Sequence, residues 1–160
     1  MNSTLPTSSN ITVGGASVNT NADGGTYICY AWSPIQGYSK FGSYVGNGNV
    51  DGPVVYLGFQ PAWILLKRSD SSTGGNWSVI DNKRSASGGR NAIVYSITAN
   101  EPDAESTGEA ESTYGVDFLS NGFKIRASHS TRNTSGGTYI YMAFAENPFT
   151  TSTGVPTTAR

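Results

Sequence analysis

The stretch NGNVDG, residues 47–52, comes closest to a set of metal ligands. Its side-chain oxygens occupy alternate positions and a glycine follows, as at the start of a calcium-binding loop. Such a loop also needs a bidentate glutamate at its twelfth position, and counting from Asn47 this position is Gly58. We therefore predict a turn rich in Asn and Gly between two strands, and no metal site.

Acidic side chains crowd into a second segment, between residues 101 and 117. They are Glu101, Asp103, Glu105, Glu109, Glu111 and Asp117. A glycosidase holds two carboxylates at a fixed separation across its substrate. A polar loop that contains glycine does not fix such a separation. We therefore interpret the segment over residues 100–113 as a solvated loop, with weak metal binding as the alternative.

The chain has one histidine, His129, and one cysteine, Cys29. A Ser-His-Asp triad would have to use His129, but the sequence contains no G-x-S-x-G nucleophile elbow. One Cys and one His do not complete a structural zinc site, and Cys29 is interpreted as a small buried residue. We predict no catalytic residues, no metal ligands and no cofactor, and therefore no enzyme.

The composition argues against two classes of partner. Among 160 residues only 13% are charged and the net charge is −1, which is a poor electrostatic match for nucleic acid. No apolar run approaches the length of a transmembrane segment, so we predict no membrane insertion. The first ten residues lack the apolar stretch of a signal peptide, and we expect synthesis in a cytoplasm.

The elements that position these residues are short strands. Apolar residues alternate with polar ones in about nine segments separated by glycine-rich turns, which predicts an all-β fold, an antiparallel β-sandwich of jelly-roll type. The run AWILL is apolar at every position, so we expect a central strand with Trp63 in the core. Residues 150–160 show no pattern and are predicted to form an extended C-terminal arm.

One strand pattern occurs twice. GGTYICYAW, residues 24–32, returns as GGTYIYMAF, residues 136–144, with six of nine residues identical. The similarity extends backwards to a hairpin, over residues 9–32 and again over 121–144. An isolated hairpin buries too little surface to be stable, so the first copy must pair with an open edge of its own domain or of a neighbouring subunit. Its candidate assembly strand consists of Tyr27, Ile28, Cys29, Tyr30 and Trp32.

Two tyrosines flank glycine-rich turns, Tyr38 and Tyr44. Exposed Tyr among Ser, Gly and Asn is the composition of adaptable binding loops. Core packing is the alternative for both side chains, as it is for most aromatic residues in strands.

Three stretches together resemble a known family: GFQPAWILLKR, DFLSNGFKIR and GGTYIYMAFAENPF. They are similar to a domain of unknown function in structural proteins of marine tailed bacteriophages, where it often ends long modular tail-fibre or other virion proteins. The resemblance covers about residues 21–149. It implies a β-sandwich and a place on a virion, and it brings no catalytic residues. Tandem members end each module with a GGTY-type strand.

These observations give a division of the chain and a ranked function. Residues 1–32 resemble the closing hairpin of a preceding module, with internal pseudo-symmetry as the alternative; 33–149 form the sandwich, and 150–160 the arm. We expect a virion structural protein, made in a host cytoplasm: a capsid decoration or an appendage (fibre or knob) subunit. It would be a homo-oligomer in contact with other virion proteins. The alternative is an adhesin for a host-surface glycan or protein, and a glycan depolymerase ranks third.

Overall fold

The computed structural model describes residues 7–15, 20–71, 77–83, 94–97, 115–150 and 156–157. Within them lie ten strands: β1 (Ser39–Val45), β2 (Val54–Tyr56), β3 (Pro61–Arg68), β4 (Trp77–Asp81), β5 (Val94–Ile97), β6 (Val116–Leu119), β7 (Gly122–Ile125), β8 (Thr138–Ala145), β9 (Phe149–Thr150) and β10 (Pro156–Thr157). None of the described residues belongs to a helix of the length and hydropathy needed to cross a bilayer.

The strands form two main antiparallel sheets. The larger has the order β1-β8-β3-β4-β5 and the smaller the order β2-β7-β6, while β9 and β10 pair with each other. The prediction of an all-β antiparallel sandwich is therefore confirmed. As in a jelly roll, β1 pairs with β8 and β2 with β7. Strand β8 also pairs with β3, as in a jelly roll, but β3 then pairs with β4 and β7 with β6, where a jelly roll pairs β3 with β6 and β7 with β4.

The chain divides into two units, Met1–Trp32 and Ser33–Arg160. Both sheets belong to the second unit. In the first, residues 7–15 and 20–32 contain no strand, so these residues do not form the hairpin expected over 9–32. Strand pairing needs a neighbouring backbone and a buried face, and a lone pair of segments supplies too little of either. The acidic segment 100–113, predicted to be a loop, lies outside the described residues. The described parts of the predicted arm are Thr150, which ends β9, and β10.

Strand β3 is central, as its apolar sequence predicted, because it lies between β8 and β4. Successive side chains of a strand point to opposite faces. Ile64 and Leu66 therefore point into the sandwich and are fully buried. Trp63 and Leu65 lie on the other face and are half-buried. The prediction that Trp63 is a core residue is wrong, because only one face of β3 is turned towards the smaller sheet.

The core is made of the inward-facing side chains of both sheets. The cluster comprises Tyr44, Val55, Leu57, Phe59, Ile64, Leu66, Ile80, Val116, Phe123, Ile125, Ala127, Tyr139, Tyr141, Ala143 and Ala145. Burial of these apolar groups is the main favourable contribution to folding. Four of the buried side chains come from alternate positions of β8, so this strand contributes to the core along its whole length.

Candidate functional site

Two buried tyrosines hold the loop between β7 and β8, residues 126–137, here called the GGTY loop. The hydroxyl of Tyr44 donates to the carbonyl of Arg132 at 2.8 Å, and that of Tyr139 donates to the carbonyl of Ser130 at 2.7 Å. Burial raises the pKa of Tyr44 well above its ordinary value, so this hydroxyl keeps its proton. At 8% exposure Tyr44 is a core residue, not the binding-loop aromatic that the sequence suggested.

Asn133 connects the GGTY loop to the turn over residues 46–52. The Asn133 side chain is fully buried. Its Oδ1 accepts from the backbone N–H of Asn47 at 2.8 Å. Its Nδ2 lies within hydrogen-bond distance of Asn47 Oδ1 (2.9 Å), the Asn49 carbonyl (2.7 Å) and the Ala127 carbonyl (2.8 Å). The stretch that imitates a calcium loop is thus a turn whose oxygens accept hydrogen bonds from the protein itself.

The turn that precedes β8 is present in both copies of the repeat. In the first copy the N–H of Gly25 donates to the Ala22 carbonyl at 3.1 Å, and the Tyr27 hydroxyl accepts from the N–H of Ala22 at 2.9 Å. The same two bonds in the second copy are Gly137 to Thr134 (2.9 Å) and Thr134 to Tyr139 (2.8 Å). The preceding glycines, Gly24 and Gly136, have φ of 70° and 75°. Each copy therefore forms the same turn, and the first glycine of each pair lies in the left-handed region that glycine favours.

After the shared turn the two copies differ completely in environment. In the second copy the side chains alternate between core and surface along β8. In the first copy the apolar side chains are exposed, with Ile28 at 78% and Tyr30 at 72%. Cys29, which we expected to be buried, is exposed as well. The rings of Tyr30 and Trp32 stack on each other with centroids 6.0 Å apart. The candidate assembly strand thus presents a continuous apolar surface to solvent.

A second apolar surface lies on the outer face of the larger sheet. We call it the outer aromatic cluster: Tyr38, Phe41, Trp63 and Phe144. Phe144 is at its centre, with ring centroids 5.6 Å from Tyr38, 6.1 Å from Phe41 and 5.7 Å from Trp63. Tyr38 stays partly exposed, as a binding aromatic must be. Sequence reasoning missed Phe41 and Phe144. Each stands next to a small residue, Gly42 and Ala143, and this alternation of large and small side chains could have assigned the two rings to one face of the sheet.

The second unit also has an open cleft. It lies between the turn before β1 and the segment after β2 and encloses about 470 Å³. Lys40 crosses it, with its Nζ donating to the carbonyl of Tyr56 at 2.8 Å. The Tyr56 side chain is 64% exposed. Neither residue was singled out from the sequence, because a lysine and a tyrosine in edge strands carry no motif.

Comparison with known proteins shows the family. The model of a domain of unknown function, DUF7483, matches residues 1–148. The chain belongs to the DUF7483 family. The match includes both copies of the GGTY segment, so the stretch assigned to the family covers the exposed copy as well as β8. No curated protein and no solved structure matches the chain.

The remaining candidate residues of the DUF7483 domain take part in structural contacts. His129 Nδ1 lies 2.9 Å from the Thr131 hydroxyl, inside the GGTY loop. Asp117 forms an ion pair with Arg126, with 3.4 Å between Oδ2 and Nε. A hydrogen bond from Lys124 lowers the pKa of Asp51. The other acidic candidates, at positions 101–111, lie outside the described residues. Where the structure does describe the chain, no three His, Cys, Asp or Glu side chains form a group that could hold a metal ion.

Proposed function

We propose that this DUF7483 domain is a structural component of a bacteriophage virion, a capsid decoration or an appendage (fibre or knob) subunit. Its sequence supports this, because GFQPAWILLKR and GGTYIYMAFAENPF resemble segments of tailed-phage virion proteins. Both segments form central strands of the larger sheet, β3 and β8. The resemblance therefore concerns the frame of the fold.

The observation that carries the proposal is the exposed copy of the β8 sequence. In the second unit this sequence forms a strand with a neighbour on each side, β1 and β3. In the first unit the same turn leads into Ile28, Tyr30 and Trp32, all of them exposed. A segment whose sequence suits a paired strand is suited to strand addition, which uses backbone hydrogen bonds for affinity and alternate side chains for fit. Repeated around a symmetry axis, such contacts give the closed homo-oligomers that virion surfaces use.

The test is to locate the protein in intact particles. Antibodies raised against the purified domain would label purified virions of a phage that encodes it, and electron cryo-microscopy would show a repeated position on the capsid or the tail. Mass spectrometry of the same particles should find the chain at a fixed copy number. If the chain occurs in infected cells but is missing from purified particles, the proposal is wrong.

A second candidate function is attachment to the host surface as an adhesin. The specific observation in its favour is the cleft beside the exposed Tyr56, together with the partly exposed Tyr38. Small-ligand sites are concave, with a few polar groups placed in mostly apolar walls. A glycan array probed with the isolated domain separates the two candidates, because a purely structural subunit would bind none of the glycans.

A further inference from the structure

The cleft lies where the edges of the two sheets come together. Strands β1 and β2 are edge strands of different sheets, and the cleft lies at the beginning of one and the end of the other. Its rim is fixed by backbone bonds: the N–H of Ser39 donates to the Ile35 carbonyl at 2.9 Å, and the N–H of Gly58 to the Asn121 carbonyl at 3.0 Å. A rim held in this way is already formed before a ligand arrives, which lowers the entropy lost on binding.

The wall of the cleft combines an apolar base with a polar rim. Leu57 and Phe59 are buried at the base, and Ile35 is partly exposed beside them. Gln36 is exposed and adds an amide that can donate and accept hydrogen bonds, whereas the buried Ser39 hydroxyl already accepts from Ile35 and donates to Ser33. None of the residues described as lining the cleft is acidic, so Lys40 gives it a positive charge. An anionic ligand complements this charge.

The Lys40 side chain reaches across the cleft to Tyr56, which holds it in place. Its ammonium donates to the Tyr56 carbonyl and lies 5.3 Å from the centroid of the Tyr56 ring. An ammonium has three N–H donors, and the structure records one of them in use. The Tyr56 ring itself is largely open to solvent. The arrangement offers a cation with spare donors next to an aromatic ring on which an apolar ring face can pack.

We propose that this cleft binds an acidic saccharide, with a sugar carboxylate paired to Lys40 and the C–H face of a sugar ring packed on Tyr56. A pyranose presents one such face together with hydroxyl groups, which the exposed Gln36 can reach at the rim. The inference deepens the second candidate function, since it names the ligand class of an adhesin, and it does not depend on where the protein lies in a particle.

Isothermal titration calorimetry on the full chain tests the site, with tetragalacturonic acid as the probe and maltotetraose as the neutral control. We expect binding of the acidic probe only, weakened by raising the salt from 50 to 500 mM. Lys40→Met and Tyr56→Ser should each lower the affinity by about tenfold or more, because each removes one half of the contact. The matched control is Lys83→Met, which removes a largely exposed lysine elsewhere on the same unit. Thermal melts check that each variant is folded.

Three results would overturn the inference: no binding of tetragalacturonic acid at millimolar concentration, equal binding of maltotetraose, or unchanged affinity in both cleft variants. Binding that Lys83→Met weakens as much as Lys40→Met would also contradict it, because the contact would then be general charge attraction. Failure of the inference leaves the virion proposal intact, since particle labelling does not use the cleft. An array that binds only neutral glycans would keep the adhesin function and remove the acidic ligand.

Discussion

The rings of Tyr44 and Tyr139 stack face to face, with centroids 5.1 Å apart and planes inclined by 13°. They lie directly opposite each other on neighbouring strands, β1 and β8. Their hydroxyls then reach two different carbonyls of the GGTY loop. A cross-strand pair in the core thus fixes a loop at the end of the sandwich, and the predictions on stability begin with it.

Tyr44→Phe should lower the free energy of unfolding by about 1–2 kcal/mol, because it leaves the Arg132 carbonyl without the donor it has in the core. The ring and its stacking on Tyr139 remain. Urea denaturation measures the change. Tyr56→Phe, at an exposed position, is the matched control and should stay within about 0.5 kcal/mol of the parent. Equal stability of both variants would contradict the bond to Arg132.

Asn133→Ala should cost about 3 kcal/mol, because a fully buried amide that serves the loop and the turn 46–52 is lost together with its partners' bonds. The repeat supplies the control. Asn21 is the equivalent residue of the first copy, is exposed, and donates to the Gly14 carbonyl at 3.0 Å. Asn21→Ala should therefore change stability by less than about 0.5 kcal/mol. Equal costs for the two variants would mean that burial does not distinguish them.

Trp63→Ala should cost about 2 kcal/mol, roughly half of what removing a fully buried Trp costs, because its ring lies half-buried on the outer face. Ile64→Ala, on the inner face of the same strand, should cost about 2–5 kcal/mol. Chemical denaturation at several protein concentrations compares them. If Trp63→Ala proves the more costly and its cost grows with concentration, a partner covers the outer aromatic cluster in solution.

Acid should destabilise the domain through Asp70. The Asp70 carboxylate accepts two hydrogen bonds, from the Arg68 side chain at 2.6 Å and from the N–H of Thr138 at 2.9 Å. The bond from Arg68 in particular lowers the pKa of this carboxyl. A group whose pKa is lower in the folded state stabilises that state above its unfolded pKa, near 4. This stability is lost as the pH falls through the folded-state value. The melting temperature of the parent should therefore fall below about pH 4 more steeply than that of Asp70→Asn. Asp23→Asn, in the other unit, should behave like the parent.

Removal of residues 1–32 should convert an oligomer into a folded monomer, because the deleted unit carries the exposed apolar strand copy. Light scattering gives the mass and circular dichroism the folded state. A finer control is the double variant Ile28→Ser/Tyr30→Ser, which keeps the glycine turn and removes apolar surface from the exposed copy. This variant should also give monomers. Monomers from the full chain would contradict the assembly role. An unfolded truncated chain would show instead that the second unit needs residues 1–32 to fold.

The sequence by itself determined the local features of this protein. Alternation predicted most of the strands of the second unit, and the continuous apolar run predicted the central position of β3. The paired glycines predicted a turn, and both copies form it. A left-handed glycine needs no distant partner, nor does the hydrogen bond that the tyrosine hydroxyl accepts from a backbone N–H five residues earlier. Strand β6 was missed, since four residues beside a tight turn give too short a pattern.

Only the tertiary structure decided which side chains are buried and which copy is a strand. The sequence GGTYI leads into β8 in the second unit, where the strand begins at Thr138, whereas in the first unit it leads into residues with no strand. A β-strand is stabilised by hydrogen bonds and packing to its neighbours, so identical residues differ when only one copy has β1 and β3 beside it. The positions of Trp63 and Tyr44 follow the same rule: alternation separates the two faces of a strand, and the second sheet determines which of them becomes the core.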